Sequence, residues 1–324
     1  MKAALCKQFG GPEVVVVEDI PEPEPGPGEV LIKVNAAALN FFDTLAIRDK
    51  YQFKPELPFS PGAEVAGVIE ALGDGVTGFE PGMRVAASVK FNGCREKTLA
   101  GADGLIVIPD GVSDAVASGV RITYGTAIHG LKDRGKVSEG QSVAVLGASG
   151  GAGLAAVEVA KRMGARVIAC ASSPEKLALA REHGADEGVD YAGEDLKNRL
   201  KELTDGNGVD VVYDCVGGDY AEPAFRAIAW EGRYLVVGFA AGEIPKMPLN
   251  LALLKGADIA GVFWGAYAER FPEKNRANIE QVLAWCASGA LAPHIHGVFP
   301  LEKIVEALQI IDNRQAQGKV VIAP

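Results

Sequence analysis

The chain is poor in the residues that build metal centres and disulfide frameworks. Five cysteines (Cys6, Cys94, Cys170, Cys215, Cys286) stand far apart among 324 residues, odd in number and never in a C-x-x-C pair. That spacing excludes a disulfide scaffold or zinc knuckle and fits reduced thiols. There are only four histidines, His129, His183, His294 and His296, and none joins the cysteines in a converging ligand pattern. His294-x-His296 alternates along what reads as an extended segment, so a structural role is expected for it. No apolar run approaches the roughly 20 residues that a membrane span needs; the nearest, Val143–Val157, is rich in glycine and ends at Glu158. Positive charge is in deficit: 32 Lys and Arg against 42 Asp and Glu leave a net charge of −10. This speaks against nucleic acid or anionic lipid as the main partner, although a few local cations can still hold a small phosphorylated ligand. The opening MKAALCKQFGGPEV places a charge and a glycine pair where a signal peptide has its apolar core, so a cytoplasmic location is expected.

What is present divides the chain in two, as its length suggests. The first 120 or so residues read as β-rich. Short apolar runs (Val30–Val34, Ala63–Leu72, Arg84–Ser88) are separated by turns at Pro21–Glu29, Phe59–Glu64 and Gly78–Arg84. Such a pattern predicts a small barrel or sandwich. Near Thr123 the character changes to strands alternating with amphipathic helices, the mark of a parallel sheet wound with helices. Strands are predicted at Ser142–Leu146, Ala165–Cys170, Val209–Gly217, Gly232–Ala240, Asp258–Gly265 and Lys319–Ala323. Helices are predicted at Gly153–Gly164, Ser173–Gly184, Ala221–Trp230, about Arg276–Ser288 and Leu301–Asp312. There is no internal repeat.

Between the first of these strands and its helix lies Gly147-Ala148-Ser149-Gly150-Gly151-Ala152-Gly153. Glycines three apart let the backbone turn tightly, approach a pyrophosphate and pack the helix on the strand. The free N–H groups and positive end of the helix then face the anion. Dinucleotide binding is therefore expected. The end of the next strand bears on which dinucleotide. An NAD site usually carries Asp or Glu there, about 20 residues on, whereas this chain has Cys170-Ala171-Ser172-Ser173, then Glu175 and Lys176. Two hydroxyls and an ammonium suit a 2′-phosphate, so NADPH is expected over NADH, although Ser173 also reads as a helix cap.

These stretches, in this order, resemble the medium-chain dehydrogenase/reductase superfamily, within its zinc-lacking NADPH:quinone oxidoreductase branch. The resemblance runs through Asn40-Phe41-Phe42-Asp43, Tyr51, Pro61–Val85, Thr123–Ala127, the glycine loop, Ser172–Lys176, Val209–Gly218, Gly261–Tyr267 and Asn313–Ile322. It implies an α/β protein with a GroES-like, barrel-type catalytic domain (residues 1–123 and 266–324) and a Rossmann domain (124–265), with the cofactor in the cleft. By position, it implies that Asn40 and Thr126 lie near the nicotinamide. Gly147, Ser149, Gly150, Gly151, Ala152 and Gly153 would hold the pyrophosphate; Ser172, Lys176 and Tyr191 would surround the 2′-phosphate. Val216, Phe239, Ala240, Phe263 and Trp264 would line the nicotinamide end, and Arg314 would contact phosphate. It also implies a homodimer or homotetramer joined through an edge strand at Ile259–Phe263.

The zinc-dependent relatives differ at identifiable positions. They carry a cysteine near Asn40 and a histidine in a G-H-E turn, where this chain has Ala38–Asp43 without a thiol and Gly62-Ala63-Glu64; Cys94 stands alone where they have a four-cysteine lobe. No metal is therefore expected. Without a Lewis acid, hydride is expected to pass to a small acceptor polarised by its own conjugation, a quinone or other conjugated carbonyl. An enone or enoyl reductase is the alternative on the same site, and a retired NADPH-binding protein the alternative of another class. Tyr51 and Asn40 are the candidate catalytic residues, Tyr51 as proton or hydrogen-bond donor with packing as its competing role. Asp43 is expected to be structural.

Overall fold

The computed structural model describes all 324 residues, and the chain divides into two units. One comprises Met1–Ile122, Ile279–Gly289 and Pro293–Pro324; the other comprises Thr123–Asn278 and Ala290–Ala292.

The first unit is built on a long strand, Glu29–Leu39, whose buried residues come from an almost unbroken apolar run. It pairs antiparallel with Glu64–Leu72 along one edge. The other edge is shared by Lys97–Gly101 and, at its far end, the C-terminal strand Lys319–Ala323. Ile295–Pro300 adds a parallel partner to that terminal strand, while Arg84–Ser88 and Ile106–Val107 extend the opposite side. The core gathers Val30, Ile32, Leu39, Val65, Ile69 and Val85, and helix Ile304–Asp312 closes it with Leu308 and Ile311. The family resemblance brings the end of the sequence back to this domain, but no local signal marks its partner strand, which it reaches across some 280 residues.

In the second unit the sheet order is Glu187–Asp190, Arg166–Ala171, Ser142–Leu146, Val209–Asp214, Ile228–Val236, Asp258–Gly261, all parallel. Numbered along the chain this is 3-2-1-4-5-6, the doubly wound Rossmann arrangement, whose order reverses beside the first strand. Ser142–Leu146 is buried throughout because helices cover both faces. Several predicted boundaries move. The change of character expected at Thr123 falls inside helix Asp114–Ile128, at the point where the two units divide. The helix predicted over Ala221–Trp230 stops at Arg226, because pairing of Ile228 with Val209 draws the following residues into the sheet. The strand predicted to Gly265 ends at Gly261, and Trp264 opens a new helix, Trp264–Arg270, with its indole N–H donating to Asn275 Oδ1 at 2.9 Å. The edge strand is thus Asp258–Gly261, extended by one further bond from Val262 N–H to the Val236 carbonyl at 2.9 Å. No helix is long and apolar enough to cross a membrane.

Candidate active site

The glycine loop sits in the second unit where the strand order reverses, between Ser142–Leu146 and helix Gly151–Arg162. Its glycines answer to different demands. Gly147 has φ +73°, and a Cβ there would lie 2.9 Å from Val216 Cγ2. A Cβ on Gly153 would come within 2.0 Å of the Gly147 carbonyl oxygen, so only glycine allows the helix this close to the loop. Gly150 is different. It is the N-cap residue, with ordinary extended φ and ψ, and a Cβ there would meet nothing nearer than 3.6 Å. Packing within the protein does not require glycine at 150; close approach of a ligand would. Gly151, Ala152 and Gly153 supply first-turn N–H groups that have no preceding helical carbonyl. Ser149 is buried in the turn. The residues present fit a pyrophosphate.

At the end of the second Rossmann strand the expected residues converge. Lys176 Nζ donates to Ser172 Oγ at 3.1 Å, and Ser173 caps helix Pro174–Glu182 by accepting from Lys176 N–H. Tyr191 N–H donates to the Ala171 carbonyl at 3.1 Å, which brings Tyr191 beside this cluster, its ring 4.2 Å from that of Tyr220. The Ser173 hydroxyl also holds the Glu175 carboxyl below its ordinary range. Ser172 and Lys176 thus stand together at the end of this strand.

The two loops past the fourth and fifth strands are stitched together. Asp214 Oδ1 accepts from the N–H groups of Val216 and Gly217 at 2.7 and 2.9 Å, and Oδ2 accepts from Tyr234 Oη. Ala240 N–H donates to the Cys215 carbonyl and Ala241 N–H to that of Val216. Val216, Phe239 and Ala240 are thereby brought together, with Val216 beside Gly147. Phe263 is half exposed and caps the helix that begins at Trp264, which is buried. Thr126 lies on helix Asp114–Ile128. A buried set in this unit was missed in the sequence. Glu158, read only as the end of an apolar run, accepts from Tyr124 Oη and meets His183 Nδ1 at 2.8 Å.

In the first unit Asn40 ends the strand Glu29–Leu39 and caps helix Phe41–Ala46. Asp43 has the structural role expected of it: its Oδ2 accepts from Asn40 N–H and its Oδ1 from Gly62 N–H, both at 2.8 Å. Burial pushes its carboxyl up from 3.8 to about 6, opposed by those two hydrogen bonds. A folded pKa above the unfolded one means the native state holds the extra proton between about pH 4 and 6, so this group's stabilisation is lost as pH rises through that window. The stability advantage of wild type over Asp43→Asn should narrow by about 2–3 kcal/mol between pH 4 and pH 7; denaturant titrations at the two pH values measure it.

Tyr51 stacks on Phe42 at 5.0 Å and meets Phe53 edge-on at 5.8 Å. Burial raises its phenol, and the Asp43 carboxylate adds to the effect, so it suits hydrogen-bond donation better than proton release. The residues the sequence did not single out here are Glu64 and Lys319. Asn40 Nδ2 donates to Glu64 Oε1 at 3.0 Å, and Lys319 Nζ donates to Asn40 Oδ1 at 2.7 Å. Arg314 follows helix Ile304–Asp312 with φ +58°. No group of three or more His, Cys, Asp and Glu is arranged to hold a metal ion.

Comparison with known proteins agrees with this architecture. Residues 26–117 match the family model described as alcohol dehydrogenase GroES-like domain, and residues 151–286 match the one described as zinc-binding dehydrogenase. A quinone oxidoreductase-like protein 2 homolog of Nematostella vectensis is 40% identical over 99% of this chain and 88% of its own length. A quinone oxidoreductase of Pseudomonas aeruginosa is 35% identical, covering 98% of this chain and 97% of that one. The crystal structure of Escherichia coli quinone oxidoreductase complexed with NADPH superposes with a TM-score of 0.94 at 26% identity, covering 100% of both chains. The chain belongs to the medium-chain dehydrogenase/reductase superfamily, in its NADPH:quinone oxidoreductase branch.

Proposed function

We propose that this oxidoreductase binds NADPH and passes hydride to a quinone or other conjugated carbonyl without zinc. The observation that carries the reading is the Ser172–Lys176 pair at the end of the second Rossmann strand, where an NAD site would carry an acid. Bound NADPH would supply the hydride; the protein's part is to hold and orient it and to exclude water. The glycine loop would hold the pyrophosphate with N–H groups and helix dipole, Ser172, Lys176 and Tyr191 the 2′-phosphate, and Arg314 a further phosphate oxygen. Val216, Phe239, Ala240, Phe263, Trp264, Thr126 and Asn40 are proposed for the nicotinamide end. Tyr51 is proposed to stay neutral and donate a hydrogen bond to the acceptor. Relatives named as quinone oxidoreductases support the acceptor class.

Two observations favour zinc-free chemistry. Buried Ala63, which has no ligating group, stands where the zinc-dependent pattern has its histidine. Cys94 is fully buried and stands alone where the zinc-dependent relatives have a four-cysteine lobe. The test is NADPH oxidation by chelator-treated protein with 1,4-benzoquinone, 9,10-phenanthrenequinone and a simple enone, each corrected for its uncatalysed rate. NADPH-preferring turnover that survives chelation is expected, fastest with a quinone; fastest turnover with the enone would favour the enone reductase alternative. Activity lost with the metal and restored by zinc would overturn the reading.

The same reading includes self-association through the edge of the Rossmann sheet and a cytoplasmic location. Asp258–Gly261 is the last strand in the order and exposes its Ile259, while Leu253 and Leu254 on the preceding helix and Trp230 on the neighbouring strand are exposed too. An open apolar edge of this kind favours pairing with a second copy. Light scattering coupled to size exclusion should give a dimer or tetramer, converted to monomer by the double substitution Leu253→Glu and Leu254→Glu. A monomeric wild type would refute it.

A further inference from the structure

The end of the strand Glu29–Leu39 carries a buried ion pair that the nucleotide reading does not use. Lys319 Nζ and Glu64 Oε1 are 2.8 Å apart, with side chains 3% and 0% exposed. The ammonium donates to the Leu39 carbonyl at 3.1 Å, to Glu64 Oε1 at 2.8 Å and to Asn40 Oδ1 at 2.7 Å, which commits all three of its protons. Glu64 in turn accepts from Asn40 Nδ2 at 3.0 Å and, through Oε2, from Ile122 N–H at 2.8 Å. Gly119 leaves room for the lysine stem: a Cβ there would lie 3.1 Å from Lys319 Cγ. The register explains the meeting, since Val320 pairs with Leu39 and Glu64 with Ala38.

Burying such a pair gains little stability over an apolar pair of the same shape, so its value lies in what it dictates to its third member. An ammonium can only donate, and a carboxylate only accepts. The Asn40 amide, which could otherwise sit either way round, must turn its oxygen to Lys319 and its nitrogen to Glu64. One Nδ2 proton is then spent on Glu64, and one remains. We infer that Lys319 and Glu64 are positioning residues that make Asn40 a hydrogen-bond donor to a ligand carbonyl oxygen. That oxygen belongs to the carboxamide of bound nicotinamide or to the acceptor. The inference rests on the reading of Asn40 as a nicotinamide-end residue.

The experiment follows the Asn40 side-chain amide by 1H–15N NMR, with the signal assigned through Asn40→Ala. Lys319→Met alone leaves a buried carboxylate unpaired and endangers folding, so the variant used is the double substitution Lys319→Met with Glu64→Gln. In cofactor-free wild type the Asn40 amide protons should exchange at least about tenfold more slowly than in the double variant. NADPH alone should shift the free N–H downfield if the carboxamide is the acceptor. A shift only with NADP+ plus an unreactive quinone analogue would assign the substrate carbonyl, and no shift with either would overturn the donor role. Kinetics supply the second arm. The double variant should lose kcat by at least about tenfold and add nothing further in an Asn40→Ala background, because it acts through Asn40. Losses that multiply, or a folded double variant with wild-type amide exchange, would overturn the inference. Slow amide exchange in a wild type that turns over no acceptor would instead sink the proposed reaction and leave the orientation of Asn40 standing.

Discussion

Gly150→Asp is expected to give a protein that melts at or above the wild-type temperature and no longer binds NADPH. Residue 150 is the N-cap of helix Gly151–Arg162, with extended backbone angles that any residue adopts, and a Cβ there has 3.6 Å of clearance. Aspartate is among the best N-cap residues, gaining a few tenths of a kcal/mol over glycine. The same carboxylate would stand where the pyrophosphate must sit, opposing two negative charges at the positive end of the helix. The dissociation constant should rise at least about 100-fold, the equivalent of about 2.7 kcal/mol, in a fluorescence titration read beside a thermal melt. Gly153→Ala provides the contrast, since its methyl would come within 2.0 Å of a carbonyl oxygen. That variant should lose stability by about 1–3 kcal/mol along with its affinity. Unaltered NADPH affinity in Gly150→Asp would remove the loop from the cofactor site.

Lys176→Glu is expected to invert cofactor preference. Lys176 is held over Ser172 by a 3.1 Å hydrogen bond at the start of helix Pro174–Glu182. Removing one charge-assisted contact to a phosphate loses about 1.5–3 kcal/mol, roughly 10- to 150-fold. Placing a carboxylate there adds repulsion and offers the acid that an NAD ribose uses. Steady-state kinetics should show kcat/KM for NADPH falling by about 100-fold or more while that for NADH holds or rises. Equal losses with both cofactors would mean the substitution damaged the fold, and no loss with NADPH would move the 2′-phosphate site elsewhere.

Much of the Rossmann unit was legible because its determinants are local. Apolar runs bounded by glycine, a Ser-Pro helix start at Ser173 and the spacing of Gly147, Gly150 and Gly153 each act within a few residues. The same locality made Ser172 and Lys176 readable, whereas Tyr191 came only from the family resemblance, because the short strand Glu187–Asp190 that returns it beside Ala171 left no clear signal in the sequence. The first unit was harder. Its sheet is assembled from strands hundreds of residues apart, and nothing around Lys319 distinguishes a lysine beneath the surface from one beginning an ordinary strand. Only the pairing of Val320 with Leu39 brings Lys319 to Asn40. The boundaries near Arg226 and Gly261 failed for a related reason: backbone pairing with Val209 and a buried indole overrode side-chain periodicity.

The place of Lys319–Ala323 within the first unit's sheet also sets an order of events during synthesis. That strand lies between Glu29–Leu39 and Ile295–Pro300, and without it both lose a neighbour. A ribosome must therefore release Lys319–Ala323 before the sheet begun by Glu29–Leu39 can close. The Rossmann sheet, contained between residues 142 and 261, can form while the first residues still wait. A chain that stops before Lys319 would keep the whole Rossmann sheet but expose Leu39 at a bare strand edge. Quality control would meet it as an aggregation-prone half-protein with an intact cofactor domain.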